Sequence, residues 1–371
     1  MGVGGPDSCR ADIAVRPAHP VRDRSVARER WQGMLLGLAI GDALGNTSES
    51  MVPGVRLKTH GEIRDYLPNR HIGGRVVGLP SDDTQLAFWT IEQILDDQRF
   101  DPARLAEIFA SRRIFGMGAS VRQFILNYRD IADPNKYWIT AATESAGNGA
   151  LMRAAGILVP HLAGGTSDLW LDAALHAAIT HNDHAAISSA VAFVGILGHL
   201  LVATKPFAPE WWVETYCRYA RSCEGAVPYE PRGGAYHGRF KGTLCQFLEH
   251  AVPAAWKRGL TTGEAGDNWY SGAYLLETVP TVLYLLMRHA HDPEEAIVRA
   301  VNDTKDNDTI AAIVGAAVGA LHGASALPAR WRERLLGRTE DDDDGRVFEL
   351  LDRVDEWTRS QPAGGIPTRP A

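Results

Sequence analysis

The sequence is poor in cysteine and in clustered positive charge, and both deficits exclude classes of protein. Its 371 residues include only four cysteines, with no Cys-x-x-Cys pair and no metal-ligand spacing. A chain of this length does not need disulfides, so a reducing, cytoplasmic location is expected. The formal net charge is -7 and no basic stretch stands out, so we do not expect a nucleic-acid partner.

Apolar runs of the kind used for targeting or membrane insertion are also scarce. Residues 1–28 lack the apolar core of a secretory signal, and we expect them to be a disordered leader. The longest apolar run, about 185–203, is interrupted by Ser188, Ser189 and His199, which favours a buried core helix over a membrane span. Residues 359–371 are expected to be a disordered tail, and no membrane partner is expected.

Strand patterns are few, because Val, Ile and Thr rarely alternate with polar residues between turns. Helical spacing of apolar residues dominates, and no internal repeat or flexible linker divides the chain. We therefore predict an all-α protein with a single domain over residues 29–358, acting as a monomer. The segment 205–242 is rich in proline, glycine and aromatic residues, and we expect an insertion-like loop region there.

Glycine recurs at every fourth position in two helical segments. The first segment carries Gly33, Gly37, Gly41 and Gly45, and the second carries Gly315, Gly319 and Gly323. Residues four apart lie on one face of a helix. Each internal glycine costs about 1 kcal/mol relative to alanine, so its repetition on one face indicates close contact with another backbone. We predict that these two helices pack against each other.

Two acidic clusters each precede an apolar helix. They are Ser81, Asp82 and Asp83, and Asp306, Asp308 and Thr309. Each cluster alone is also typical of a helix cap. A calcium loop of the EF-hand type is excluded, because Ile310 stands where a further Asp or Asn is needed. Together the clusters offer six oxygen-bearing side chains, which suit one or two Mg²⁺ or Mn²⁺ ions.

Other polar residues are candidates for the same site. Asp42, near the end of the first glycine-rich helix, is equally compatible with a site role and with binding buried backbone groups. The turn Gly147-Asn148-Gly149 enters an apolar segment, which is typical of a plain turn but also of an anion site made by backbone N–H groups. His181 is more typical of a hydrogen-bonded loop histidine than of a metal ligand, because no zinc spacing accompanies it.

In this order, the motifs resemble the ADP-ribosylglycohydrolase family, which includes the dinitrogenase reductase-activating glycohydrolase and the hydrolases of ADP-ribosyl-arginine and ADP-ribosyl-serine. The matching stretches are Gly41–Glu49, Ser81–Thr84, Gly147–Arg153, Thr180–His181 and Asp306–Ala311. The resemblance implies an all-α orthogonal multi-helix bundle with a dinuclear Mg²⁺ or Mn²⁺ centre. It further implies that the bond between C1″ of ADP-ribose and a protein side chain or small acceptor is hydrolysed, releasing ADP-ribose.

The resemblance also implies roles for residues at matching positions. The metal ligands would be Ser81, Asp82, Asp83, Asp306, Asp308 and Thr309. The substrate-binding residues would be Gly147, Asn148, Gly149 and His181. The catalytic candidates are Glu49, Asp82 and Asp83, any of which could be the general base that activates water.

The chain departs from the family pattern in two places that bear on the substrate. Lys305 stands where many members have glycine, and residues 211–239 do not match well. The acceptor therefore stays open, as does a non-catalytic role in binding ADP-ribose. A second alternative is a phosphohydrolase with a His-Asp pair, for which His291-Asp292 is the single match and lacks further ligands nearby.

Overall fold

A computed structural model of the chain describes residues 17–21, 26–131, 138–162 and 169–360. Extended chains pair there only in isolated bridges, so the prediction of an all-α fold is confirmed for the described residues. The helices are α1 Arg28–Gly45, α2 Pro53–His60, α3 Asp82–Asp97, α4 Pro102–Ser111, α5 Ala119–Arg129, α6 Leu169–Ala178, α7 His184–Leu201, α8 Pro209–Ala220, α9 Leu244–Lys257, α10 Thr262–Trp269, α11 Leu275–His289, α12 Pro293–Asp303, α13 Asn307–His322, α14 Ala329–Arg332 and α15 Arg346–Ser360.

Helices α1 and α13 form the centre of the fold and touch backbone to backbone. A Cβ atom at Gly37 would overlap the carbonyl group of Gly315, and one at Gly319 would overlap that of Gly33. Both helices are buried along nearly their whole length. The predicted glycine-faced pair is therefore confirmed, and its missing side chains explain how the helices approach so closely.

Helix α7 is long and apolar enough to cross a membrane, with a mean hydropathy of 1.7. Within this fold 89% of it is buried, against α6, α8 and α13. Its burial agrees with the interpretation of the apolar run as a core helix.

Part of the expected leader packs against the fold. The indole Nε1 of Trp170 donates a hydrogen bond of 2.9 Å to the carbonyl of Pro17, and Val21 is completely buried. Residues 1–16 and 22–25 of that leader lie outside the described residues, as does the expected tail beyond Ser360.

The segment 205–242 requires a correction, because residues 209–220 form the helix α8 instead of a loop. Pro209 occupies its first turn, where a missing N–H is harmless, and Trp212, Tyr216 and Tyr219 bury one helix face. The remaining part is a loop closed by paired hydrogen bonds between Tyr229 and Gly242, of 2.7 and 3.1 Å. This loop extends toward the cleft described below.

Candidate active site

Asp42 fixes the position of the first acidic cluster from another helix. Ser81 occupies the N-cap position of α3, but its side chain does not bond to the helix. Instead, Asp42 of α1 accepts hydrogen bonds from the backbone N–H of Ser81 (2.8 Å) and of Thr84 (3.1 Å). It also accepts from both hydroxyls, at 2.7 and 2.6 Å. Asp42 thus binds buried backbone groups, and it holds Asp82 and Asp83 in the first turn of α3.

The end of α1 fixes the second acidic cluster. The side-chain amide of Asn307 donates to the Gly45 carbonyl and to the Ser48 hydroxyl, both at 3.0 Å. A Cβ atom at Gly45 would collide with the backbone of Asp308, so glycine is required for the contact. The same helix therefore positions both clusters.

Arg56 ties the loop after Glu49 to the segment before Asp306. Its guanidinium is completely buried and donates to the carbonyls of Met51 (2.7 Å), Val301 (2.8 Å) and Thr304 (2.8 Å). Burial lowers the pKa of this guanidinium to about 10, which leaves it charged at neutral pH. Arg56 is therefore a structural clamp between two loops that carry candidate residues.

These elements enclose a cleft with a volume of about 570 Å³. Two predicted metal ligands, Ser81 and Asp83, do not line it; Ser81 bonds to Asp42, and the charge of Asp83 interacts with those of Asp82, Asp306 and Asp308. The predicted residues that line the cleft are Glu49, Asp82, Gly147, Asn148, Gly149, His181, Asp306, Asp308 and Thr309.

The acidic end of the cleft concentrates carboxylates in a poorly solvated space. Burial raises the pKa of Asp82, Asp83 and Asp308 well above the usual range, and the neighbouring carboxylates raise it further. Glu49 is exposed to the cleft, but partial desolvation, Asp306 and Asp42 also raise its pKa. None of these four carboxylates forms an ion pair with a described residue. Their charge is therefore not compensated by a direct ion pair within the described part of the chain.

The carboxylates fit a divalent cation by their chemistry. Asp83 and Asp308 each bury an Oδ1 atom that has no hydrogen-bond partner among the described residues. Buried, unpaired carboxylates are unfavourable unless they are protonated or bind a cation, and hard cations prefer oxygen ligands. Among the described residues, however, no three acidic, His or Cys side chains stand in a preformed metal-binding arrangement.

The Gly147–Gly149 turn has fewer free N–H groups than its sequence suggests. The N–H of Gly147 donates to the Ser145 hydroxyl (3.2 Å), and that of Asn148 donates to the Ala273 carbonyl (3.1 Å). The Asn148 amide donates to Asp306 Oδ2 at 2.5 Å and to Thr278 at 3.0 Å. Asn148 therefore orients a carboxylate of the second acidic cluster.

His181 lies against the turn and is neutral. Arg153 donates to the Gly149 carbonyl (2.6 Å) and to the Thr180 hydroxyl (2.9 Å), which lies 2.8 Å from His181 Nδ1. Burial, with the charge of Arg153, lowers the pKa of His181 to about 3. The Thr180 hydroxyl therefore links Arg153 to His181 Nδ1, and His181 Nε2 lies beside Gly147 and Gly149.

Comparison with known proteins identifies a family with this chain's sequence pattern. The model of the ADP-ribosylglycohydrolase family matches residues 23–361. The chain belongs to this family. The resemblance found in the motifs is thereby confirmed.

Relatives from this family align with most of this chain and with most of their own length. An uncharacterized protein of Archaeoglobus fulgidus is 32% identical over 84% of this chain and 92% of its own. ADP-ribosylhydrolase ARH3 of Homo sapiens is 26% identical, over 84% and 91%. A solved structure of an "ADP-ribosylglycohydrolase-related protein complex" superposes with a TM-score of 0.65 at 26% identity, over 90% and 98%.

The alternative based on a His-Asp pair has no support in this member of the family. Asp292 caps helix α12 by accepting from the N–H of Glu295 at 3.1 Å, and His291 is exposed. Neither residue lines the cleft. The pair therefore has an ordinary structural role.

Sequence reasoning missed several residues of the family cleft. Asp183, Tyr229, Arg232 and Tyr274 also line it. The Tyr229 hydroxyl lies 3.1 Å from Asp183 Oδ1, and the Arg232 guanidinium lies over the Tyr274 ring at 4.3 Å. The aromatic, arginine-bearing composition of residues 229–239 was the only sequence signal for this side of the cleft.

Proposed function

We propose that this ADP-ribosylglycohydrolase is a metal-dependent enzyme that hydrolyses the C1″ glycosidic bond of ADP-ribosylated proteins or small molecules and releases ADP-ribose. The observation that carries the proposal is that Glu49, Asp82, Asp306 and Asp308, which come from three separate segments, line one cleft. The human relative's name, ADP-ribosylhydrolase, supports the same reaction. The acceptor is not specified by these observations.

Two Mg²⁺ or Mn²⁺ ions are the cofactors we propose. Their ligands would be Ser81, Asp82, Asp83, Asp306, Asp308 and Thr309. The Ser81 hydroxyl donates its proton to Asp42, which leaves its oxygen lone pairs available for a cation. When bound, such ions lower the pKa of a coordinated water and bind sugar hydroxyls.

Glu49 is the general base that the geometry favours among Glu49, Asp82 and Asp83. Asp83 does not line the cleft, and Asp82 is committed to the metals in our proposal. The Glu49 carboxylate is exposed to the cleft and accepts no hydrogen bond from the described residues. Its raised pKa makes it a better proton acceptor than an ordinary glutamate. Glu49 would take a proton from the water that attacks C1″ as the ribose gains oxocarbenium character.

Two charge-removing substitutions test the assignment. Glu49→Gln should lower turnover by about 10²- to 10⁴-fold, the usual contribution of a general base, while metal binding persists. Asp308→Asn should abolish both metal binding and turnover. Peptides ADP-ribosylated on arginine or on serine, incubated with Mg²⁺, Mn²⁺ or EDTA, would be scored by mass spectrometry for free ADP-ribose. Binding of ADP-ribose without release from any substrate would instead identify a non-catalytic family member.

A further inference from the structure

The cleft contains a guanidinium that the proposed reaction leaves without a role. Among the described residues that line the cleft, Arg232 is the sole arginine or lysine. Divalent ions would compensate the carboxylates at the acidic end, but the diphosphate of an ADP-ribosyl group brings additional negative charge. The carboxylates facing this space are Glu49, Asp82, Glu144, Asp183, Asp306 and Asp308.

Two backbone N–H groups of the glycine turn are already engaged within the protein. The N–H groups of Gly147 and Asn148 already donate to Ser145 and Ala273. The helical turn that follows spans only Asn148–Ala150 and is too short to have a significant dipole. A side-chain cation beside the turn would supplement the backbone donors that remain.

Arg232 is placed and oriented for this task. Its Nε lies 3.4 Å from Glu277 Oε1, and its guanidinium stacks over Tyr274. Glu277 is completely buried, so it is a fixed anchor. The Arg232 side chain is nonetheless 59% exposed, and its terminal Nη groups make no hydrogen bond to a described residue. The anchored stem and free Nη groups are what bidentate binding of an oxyanion requires.

The backbone pairing places this guanidinium next to the turn. Tyr274, which carries Arg232 on its ring, pairs with Gly147 in an antiparallel bridge. The N–H of Leu275 donates to the Ala146 carbonyl at 3.0 Å and extends that pairing. Arg232 therefore belongs to the same wall of the cleft as the Gly147–Gly149 turn, although it comes from the loop of residues 221–243.

We infer that Arg232 binds the diphosphate of the ADP-ribosyl group, which makes the loop after α8 a determinant of substrate binding. This inference rests on the proposed function. Hydrogen bonds to charged groups contribute about 1.5 to 3 kcal/mol, so Arg232→Gln should weaken ADP-ribose binding by about 10- to 100-fold. Arg232→Lys keeps the charge but loses the fork of donors, and an intermediate loss is expected.

The test is calorimetric titration of the full chain with ADP-ribose and Mg²⁺ at 50 and 300 mM NaCl. Wild-type affinity should fall with salt more steeply than that of Arg232→Gln, because salt screens the charge pair. Arg239→Gln, an exposed arginine of the same loop that does not line the cleft, is the matched control and should behave as wild type. Thermal unfolding of each variant verifies the fold.

The outcomes separate this inference from the proposed function. Wild-type binding that Arg232→Gln leaves unchanged would overturn the role of Arg232 alone. Weaker binding with an unaltered salt dependence would also overturn it, because the loss would then be structural. If wild-type protein with Mg²⁺ does not bind ADP-ribose at all, the proposed function fails and this inference fails with it.

Discussion

Burial keeps His181 neutral, and the neighbouring Arg153 contributes to this state. Arg153 is completely buried, and its hydrogen bonds go to backbone carbonyls and to Thr180. Burial lowers the pKa of its guanidinium to about 9, and the charge of Asp82 acts in the opposite direction. Through the Thr180 hydroxyl, Arg153 is linked to His181 Nδ1. A neutral imidazole lines the cleft there without adding charge to it.

The low pKa of His181 predicts a contribution to acid sensitivity. In the unfolded chain the imidazole takes up a proton below about pH 6.5, whereas in the fold its pKa is about 3. Its folded pKa is depressed, so stability is present above pH 6.5 and is lost as pH falls toward 3. Relative to His181→Gln, wild type should lose up to about 1.4 kcal/mol of unfolding free energy per pH unit over that range.

Urea denaturation at pH 7, 6 and 5 measures this difference. His60→Gln, at an exposed histidine outside the cleft, provides the control, and its curve should run parallel to that of wild type. A gap between wild type and His181→Gln that is constant with pH would contradict a neutral buried imidazole.

At the scale of helices, the contact between α1 and α13 determines both the stability of the fold and the positions of the candidate site residues. The glycine faces bring the two backbones together, and the last of them, Gly45, lies against Asp308. Arg56 adds a second connection from α2 to the segment before Asp306. The helix pair therefore positions both acidic clusters, the first through Asp42 and the second through its contact with Gly45.

Gly37→Ala should disrupt this contact. The new methyl group would meet the carbonyl of Gly315, which is backbone and cannot rotate away, so the helices must separate. Overpacking of a core typically costs about 1 to 3 kcal/mol, and here it exceeds the helix propensity gained from alanine. Gly263→Ala in α10 is the control, because a Cβ atom there meets nothing within 4 Å. Chemical denaturation should show Gly37→Ala destabilised and Gly263→Ala unchanged or slightly stabilised.

The helix pair was predictable from sequence because glycine spacing within one helix reports directly on its contact face. The acidic clusters were predictable because both begin helices with apolar bodies. Sequence could not reveal that Asp42 supports α3 from 39 residues away, or that Asn148 binds Asp306 across 158 residues. It also missed α8 within the segment 205–242. Proline is common both in loops and in the first turn of a helix, so Pro209 did not distinguish the two.

At the scale of the whole molecule, the acidic end of the cleft opposes folding of the metal-free chain. Asp42, Asp82, Asp83, Asp306 and Asp308 repel one another there, and burial disfavours their charged forms. The core formed around α1 and α13 must compensate for this cost. A ligand that binds only the folded chain and neutralises these charges should therefore stabilise the entire fold.

Mg²⁺ or Mn²⁺ should accordingly raise the thermal unfolding midpoint of wild type. At a free metal concentration of 100 times the Kd, one site adds about 2.7 kcal/mol to the unfolding free energy, and a second site adds more. Asp308→Asn removes one repelling charge and one proposed ligand, so its metal-free form should unfold no lower than wild type and should not respond to metal. Asp341→Asn, in the exposed acidic run, should keep the full metal response. Scanning calorimetry with EDTA, Mg²⁺ or Mn²⁺ distinguishes these cases, and an equal metal shift in wild type and Asp308→Asn would place the ions elsewhere on the molecule.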